Sequence, residues 1–243
     1  MEIIPLQIKE KPYVITFIGK ETPEVTLFRF NPQDNAKIKF DPGMFVMVEY
    51  ANASTKEKIS RAFSIASSPT QPYLEFFISM IHGRFTSHLD TAKEGDIYYI
   101  TGPYGQFRFV PSEEKKVLFL AGGTGLAPFM SMLRQIRDLG SGNDIVLIYS
   151  VKYPTEIIRK EELDELEKAL NLKTVVTVTR PQEGDGWSGE KGHISADTIR
   201  KYAPDFNERT VYVCGPLGFV KAMKDAAEIL GIDTSKLKAD VWG

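Results

Sequence analysis

Hydrophobic residues run along this chain in two different rhythms. From Lys11 to about Thr101 they fall in short stretches: PYVITFIG, VTLFRF, MFVMVEY, RAFSIAS, YLEFFISMI and DIYYIT, all rich in Val, Ile, Phe and Tyr. Between them stand TPE, DPG, SSPTQP and KEGD, which supply the Pro, Gly and Asp that turns use. Six short strands with little helix predict a small antiparallel β-barrel, because closure removes exposed strand edges. One short helix is expected near Phe85 to Asp90.

After VPSEEKK the rhythm changes. KVLFLA, DIVLIYS, TVVTVT and TVYVCG are near-continuous apolar blocks, the pattern of parallel strands covered on both faces. Helical segments separate them. PFMSMLRQIRDLG sets Phe129, Met132, Leu133, Ile136 and Leu139 at helical spacing and stops at Gly140. EELDELEKAL and FVKAMKDAAEILG read alike, the first with a solvated acidic face on which Glu161 and Glu165 are not ideally paired. Strands alternating with helices predict a doubly wound α/β sheet. The change of pattern puts a domain boundary in the charged, Pro-containing segment 111–116. The barrel domain is then 1–112 and the α/β domain 113–243.

Composition narrows the chemistry. At 243 residues, 42% hydrophobic and 26% charged, the chain is long enough for two compact cores. A net charge of −2 gives no basic field for nucleic acid. Cys214 is the one cysteine, which rules out a disulfide within the chain. It equally rules out a four-thiolate zinc site or an iron–sulfur cluster held by this chain alone. His82, His88 and His193 do not stand at metal-ligand spacing, so no metal is expected. No apolar run approaches membrane-spanning length, and Glu2 and Pro5 interrupt the stretch a signal peptide needs. A cytoplasmic location with no membrane partner is the expectation.

The candidate chemistry begins at VLFLAGGTGLAP, where the first strand of the parallel sheet meets its first helix. Ligands bind such sheets at the carboxyl ends of the strands. Gly122, Gly123 and Gly125 let the backbone turn tightly and approach a ligand, and Thr124 offers a hydroxyl. Pro128 suits a first helical turn, whose free amides attract anions. This is a pyrophosphate cradle, or else a glycine turn kept for packing. No lysine follows as a P-loop requires, which argues against a nucleoside triphosphatase. In the barrel, RAFSIASSP carries Arg61 and Phe63 on one strand face. Ser64 falls on the other unless the strand bulges or ends there. HGRFTSHL places Gly83, Phe85 and Thr86 where amides and a hydroxyl can meet a phosphate.

Five motifs now stand in order: RAFS at 61–64, GRFTS at 83–87, GPYGQF at 102–107, GGTGLAP at 122–128 and CGP at 214–216. Together they resemble the ferredoxin–NADP(+) reductase superfamily of flavoenzymes, across nearly the whole chain. The family pattern is Arg-x-Tyr-Ser, a Gly-containing phosphate turn, Gly-Pro-x-Gly-x-Phe, Gly-Gly-Thr-Gly-x-Ala-Pro and Cys-Gly-Pro. The resemblance implies that Arg61 pairs with the FAD pyrophosphate, where a guanidinium fork suits phosphate. Phe63, where the family usually has Tyr, would lie against the isoalloxazine, and Ser64 would hydrogen-bond near flavin N5. Gly83, Phe85 and Thr86 would hold the pyrophosphate. Gly123, Thr124, Gly125, Gly215 and Pro216 would contact the nicotinamide nucleotide.

Cys214 would sit beside the nicotinamide, not as a nucleophile; a small buried hydrophobe is its other reading. In the C-terminal KADVWG, Asp240 and Trp242 fit the acidic and aromatic ending common in the family, with Asp for the commoner Glu and Gly243 trailing. Asp240 is then a candidate catalytic carboxylate, and Trp242 either covers the flavin or anchors its own domain. His82 and Arg84 read as solvated.

The implied reaction passes hydride from NAD(P)H on the α/β domain to FAD on the barrel, and electrons onward to a ferredoxin or an oxygenase component. Lys152, Glu156 and Arg180 near the nucleotide leave NADH and NADPH both open. So do the function alternatives: a flavin reductase with flavin as substrate, a non-catalytic electron-transfer subunit, or a domain with a degenerate site.

Overall fold

The computed structural model describes residues 10–34, 36–51 and 57–242. Glu2, Pro5 and Gly243, read above from the sequence, lie outside the described residues. The first half is an antiparallel sheet of β1 (Lys11–Lys20), β2 (Val25–Pro32), β3 (Phe45–Ala51), β4 (Lys58–Ser64), β5 (Leu74–Ser79) and β6 (Ile97–Tyr104). Their order is β4-β3-β6-β1-β2-β5. The sheet curls so that the two end strands meet. Just beyond β4, the Ala66 N–H donates to the Glu75 carbonyl at 2.8 Å. Alternation makes the barrel possible: every second side chain points inward. Tyr13, Phe30, Phe76 and Tyr98 fill the centre, with Phe30 edge-on to both Phe76 and Tyr98. The short helix α1 (Arg84–Leu89) closes one end, burying Phe85 and Leu89.

The second half is a parallel sheet of β7 (Lys116–Gly122), β8 (Asp144–Val151), β9 (Leu172–Val178), β10 (Glu190–Lys191), β11 (Thr210–Pro216) and β12 (Leu237–Trp242). Their order is β10-β9-β8-β7-β11-β12. Its helices are α2 (Leu126–Leu139), α3 (Lys160–Ala169), α4 (Ala196–Tyr202) and α5 (Leu217–Leu230). α2 and α3 cover the face that carries Val117, Phe119 and Ala121 of β7. α4 and α5 cover the face that carries Leu118 and Leu120. Strand order reverses between β7 and β11, so the sheet's switch point falls where β7 ends.

The α2 face does not end at the sheet. Val25, Leu27 and Phe77 of the barrel join the same apolar cluster, so one continuous core binds the two halves. Phe129, Met132, Leu133 and Ile136 are buried in it, whereas Leu139 is exposed at the helix end, one turn beyond the contact. α3 also corrects the sequence reading. Its acidic face is not wholly solvated: Glu162 is largely buried, held by Arg134 and Arg159. Among the described residues no helix is long and apolar enough to cross a membrane.

Candidate functional site

The turn after β7 is built almost without side chains. Gly123 opens a 3-10 turn at φ 54°, in the left-handed region that favours glycine. A Cβ on Gly125 would lie 2.3 Å from the Cys214 carbonyl oxygen, so only glycine lets this turn pack on the end of β11. Cβ atoms on Gly122 and on Gly215 would each come within 2.8 Å of the Phe219 ring of α5. Motifs 90 residues apart in the sequence are thereby pressed backbone to backbone at the switch point. α2 receives no side-chain cap; the 3-10 turn runs straight into it, and the Leu126 N–H donates to the Gly123 and Thr124 carbonyls.

This turn forms the floor of a cleft of about 510 Å³. Gly122, Gly123, Thr124, Pro216 and Trp242 line it from the α/β half; Thr22, Val25 and Ser79 line it from the barrel. Lys152 and Glu156 stand at the β8 end, where the Lys152 N–H donates to the Glu156 carboxylate at 3.1 Å. Thr179 lines the cleft, while Arg180 is absent from the lining.

β12 runs parallel to β11, pairing Asp240 with Cys214 and Trp242 with Pro216. The C-terminal segment is therefore a sheet strand, which the sequence reading did not anticipate. Cys214 is fully buried, and burial pushes its thiol well up, with the Asp240 charge adding to the effect. Burial of this kind disfavours the thiolate, the reactive form of a cysteine. Burial also raises the Asp240 carboxyl. Asp240 opens into a second, smaller cavity of about 290 Å³, facing Phe45, Gly105 and Phe107. Trp242, two residues on, faces the larger cleft instead.

On the barrel, β4 ends at Ser64, whose partner across the strand pair is Phe45. Ser64 is thus one strand away from the Asp240 cavity. Arg61 is exposed; its guanidinium donates to the neighbouring Ser60 carbonyl at 3.0 Å and meets no carboxylate among the described residues. Phe63 is half-buried and packs on Phe85, ring centroids 5.5 Å apart. That contact brings the RAFS and GRFTS motifs side by side.

Gly83 caps α1 with no side-chain partner, so the turn offers backbone amides. The side chains of this turn are committed elsewhere. Phe85 is in the barrel core, and the Thr86 hydroxyl donates to the Gly83 carbonyl at 3.2 Å. His82 is exposed and 3.2 Å from Asp90, and Arg84 pairs with Glu57, so both are surface groups as expected. A guanidinium without a carboxylate partner among the described residues, an open turn and a half-buried aromatic on one rim fit a pyrophosphate joined to a flat ring system. Among the described residues no group of three or more His, Cys, Asp or Glu could hold a metal.

Residues 13–109 match the oxidoreductase FAD-binding domain, and residues 119–225 the oxidoreductase NAD-binding domain. The fold and its cleft are thus those of a two-domain flavin and nicotinamide oxidoreductase. The chain belongs to the oxidoreductases built from these two domains, and it shares the fold of ferredoxin–NADP+ reductase. It is 33% identical over 229 residues to the glycine betaine monooxygenase reductase subunit of Pseudomonas aeruginosa, covering 92% of this chain and 62% of that protein. It therefore spans about three-fifths of that relative's length. The cytochrome b5 reductase domain of Ulva prolifera nitrate reductase superposes with a TM-score of 0.81 at 25% identity, covering 96% of this chain and 97% of that one. A ferredoxin NADP+ reductase from Neisseria gonorrhoeae, solved with FAD and NADP, shares the fold at a TM-score of 0.79 and 21% identity, covering 96% and 98%.

The structure adds residues that sequence reasoning missed. Phe219, which sets the glycine spacing, sits in the first turn of α5, and no local motif announces its role. Thr22 and Ser79 reach the cleft only because the barrel docks there.

Proposed function

We propose that this chain is an FAD-dependent NAD(P)H reductase that supplies electrons to a separate redox protein, most directly an oxygenase component. The supporting observation is the cleft at the sheet's switch point, with the glycine turn of the α/β half facing the barrel across it. A ferredoxin is the other acceptor of suitable chemistry.

FAD, when bound, accepts a hydride and releases electrons one at a time. The chain's own residues bind and orient. Arg61 neutralises the pyrophosphate, and the amides of Gly83, Phe85 and Thr86 hold it from the other side. Phe63 offers an aromatic shelf, and Ser64 a hydroxyl at the ring edge. Gly123, Thr124 and Gly125 receive the nicotinamide nucleotide's phosphates, with Gly215 and Pro216 beside them. Cys214 fills the space behind the nicotinamide, where its thiol excludes water without reacting. Asp240, with its raised pKa, holds a proton more readily than an exposed carboxylate does. Trp242 screens the cleft mouth. NAD(P)H is an intracellular reductant, so the reading carries a cytoplasmic location with it. The domain limits 1–112 and 113–243 follow from the same division of labour.

The test is NADH- and NADPH-dependent reduction of ferricyanide by the purified protein supplemented with FAD. The reading expects FAD-dependent turnover with at least one nucleotide. No turnover with either would overturn it. Turnover only through free, exchanging flavin would make the protein a flavin reductase.

A further inference from the structure

A buried ionic cluster lies at the seam between the halves. Arg29 of β2 donates to Glu75 of β5 at 2.8 Å. Arg134 of α2 donates to the same carboxylate at 2.6 Å and grips Glu162 of α3 with two bonds of 2.6 and 2.7 Å. Arg159 donates to Glu162 at 2.7 Å and reaches Glu21, in the turn between β1 and β2, at 3.7 Å. Charge thus alternates along Arg29, Glu75, Arg134, Glu162, Arg159 and Glu21, and the chain of ions begins and ends on the barrel.

Each half alone is unbalanced. The α/β half contributes Arg134, Arg159 and Glu162; the barrel contributes Arg29, Glu75 and Glu21. Only the docked arrangement neutralises both, and Glu75 and Arg134 are 1% and 7% exposed. A buried charge without its partner is strongly unfavourable, and two-pronged guanidinium contacts accept one geometry. The last link carries a further sign of constraint. Arg159 holds φ 53°, a left-handed backbone uncommon for a side-chain residue. Its N–H donates to the Glu21 carboxylate at 2.6 Å. The next residue to Glu21 is Thr22 and the one before Arg159 is Ile158, and both line the cleft.

We propose that this ion chain sets the alignment of the two halves across the cleft, with Glu21 and Arg159 as positioning residues for hydride transfer. The proposal rests on the reductase reading, since transfer rates depend on sub-ångström placement of the reacting atoms. The test is Glu21→Ala in the full chain, with two readouts.

Rapid anaerobic mixing with NADH or NADPH should show the limiting rate of flavin reduction falling about tenfold. The nucleotide dissociation constant should move less than about twofold, and the visible flavin spectrum should not change. Separately, nitroxide labels on K39C and K224C, exposed sites on the two halves, should give one narrow distance distribution that Glu21→Ala broadens. A distribution unchanged by the substitution overturns the proposal, as does an unchanged reduction rate. If the unsubstituted protein is reduced by neither nucleotide, the reductase reading fails, and the label distances still decide whether the ion chain aligns the halves.

Discussion

The two regions proposed to receive ligands are made of different material. The turn at the end of β7 is a backbone surface: Gly125 is pressed against the Cys214 carbonyl and Gly122 against the Phe219 ring, with no room for a Cβ at either. The rim of the barrel is a side-chain surface, where Arg61 and Phe63 project from the end of an exposed strand. Where backbone packs on backbone, as at Gly125, almost no substitution is tolerated. A side-chain site of the proposed kind needs only a charge and a flat ring in place, which Arg61 and Phe63 supply. The ion chain at the seam is what makes the two surfaces face one another.

This contrast predicts a gradient of effects. The largest is Gly125→Ala, whose methyl would collide with main chain and not with a flexible side chain. It should cost about 3 kcal/mol in urea unfolding and abolish nucleotide capture by titration calorimetry. Gly123→Ala, strained in φ but in open space, should cost only about 1 kcal/mol. Equal stability for Gly125→Ala and the parent would break the backbone half of the comparison.

Next comes Arg61→Ala. Losing one charge-assisted contact should weaken FAD binding by about tenfold or more, read from the flavin content of purified protein. Unfolding without FAD should stay close to the parent's, because Arg61 is exposed. Undiminished flavin content would remove Arg61 from the site.

The seam should show itself through pH. Burial alone would raise the Glu162 carboxyl, but Arg134 and Arg159 outweigh it and pull it from its ordinary 4.5 to about 2. A depressed carboxyl contributes stability that is fully present above 4.5 and lost as pH falls towards 2. Unfolding midpoints measured across that window should fall in the parent and flatten in Glu162→Gln. A small effect, comparable to that of Gly123→Ala, belongs to Cys214→Ala, about 1 kcal/mol for a small buried side chain. Flavin should be retained and reduction by NAD(P)H slowed; unchanged reduction kinetics would return Cys214 to packing alone.

Much of this was legible in the chain itself. The barrel strands declare themselves by alternation and the parallel strands by continuous apolar blocks, because burial on one face or two leaves those patterns. β12 did not: LKADVW is short, mixed in polarity and partly exposed, and it becomes a strand only by pairing with β11. α4 buries just Ile199 among its seven residues, too little for a helical period to register. Glu162 reads locally as one more solvated acid. Its burial depends on Arg134, 28 residues earlier, and on the docking of the barrel, neither of which leaves a local trace. The same holds for Thr22 and Ser79 in the cleft. Motifs report what is held within a few residues; the seam that aligns them is long-range.

The most direct measurement is the visible spectrum of the purified protein, loaded with FAD and titrated without oxygen, first with NADH and then with NADPH. The account predicts flavin absorption bands that bleach with at least one of the two nucleotides. A protein that retains no flavin at saturating FAD and oxidises neither nucleotide would contradict it.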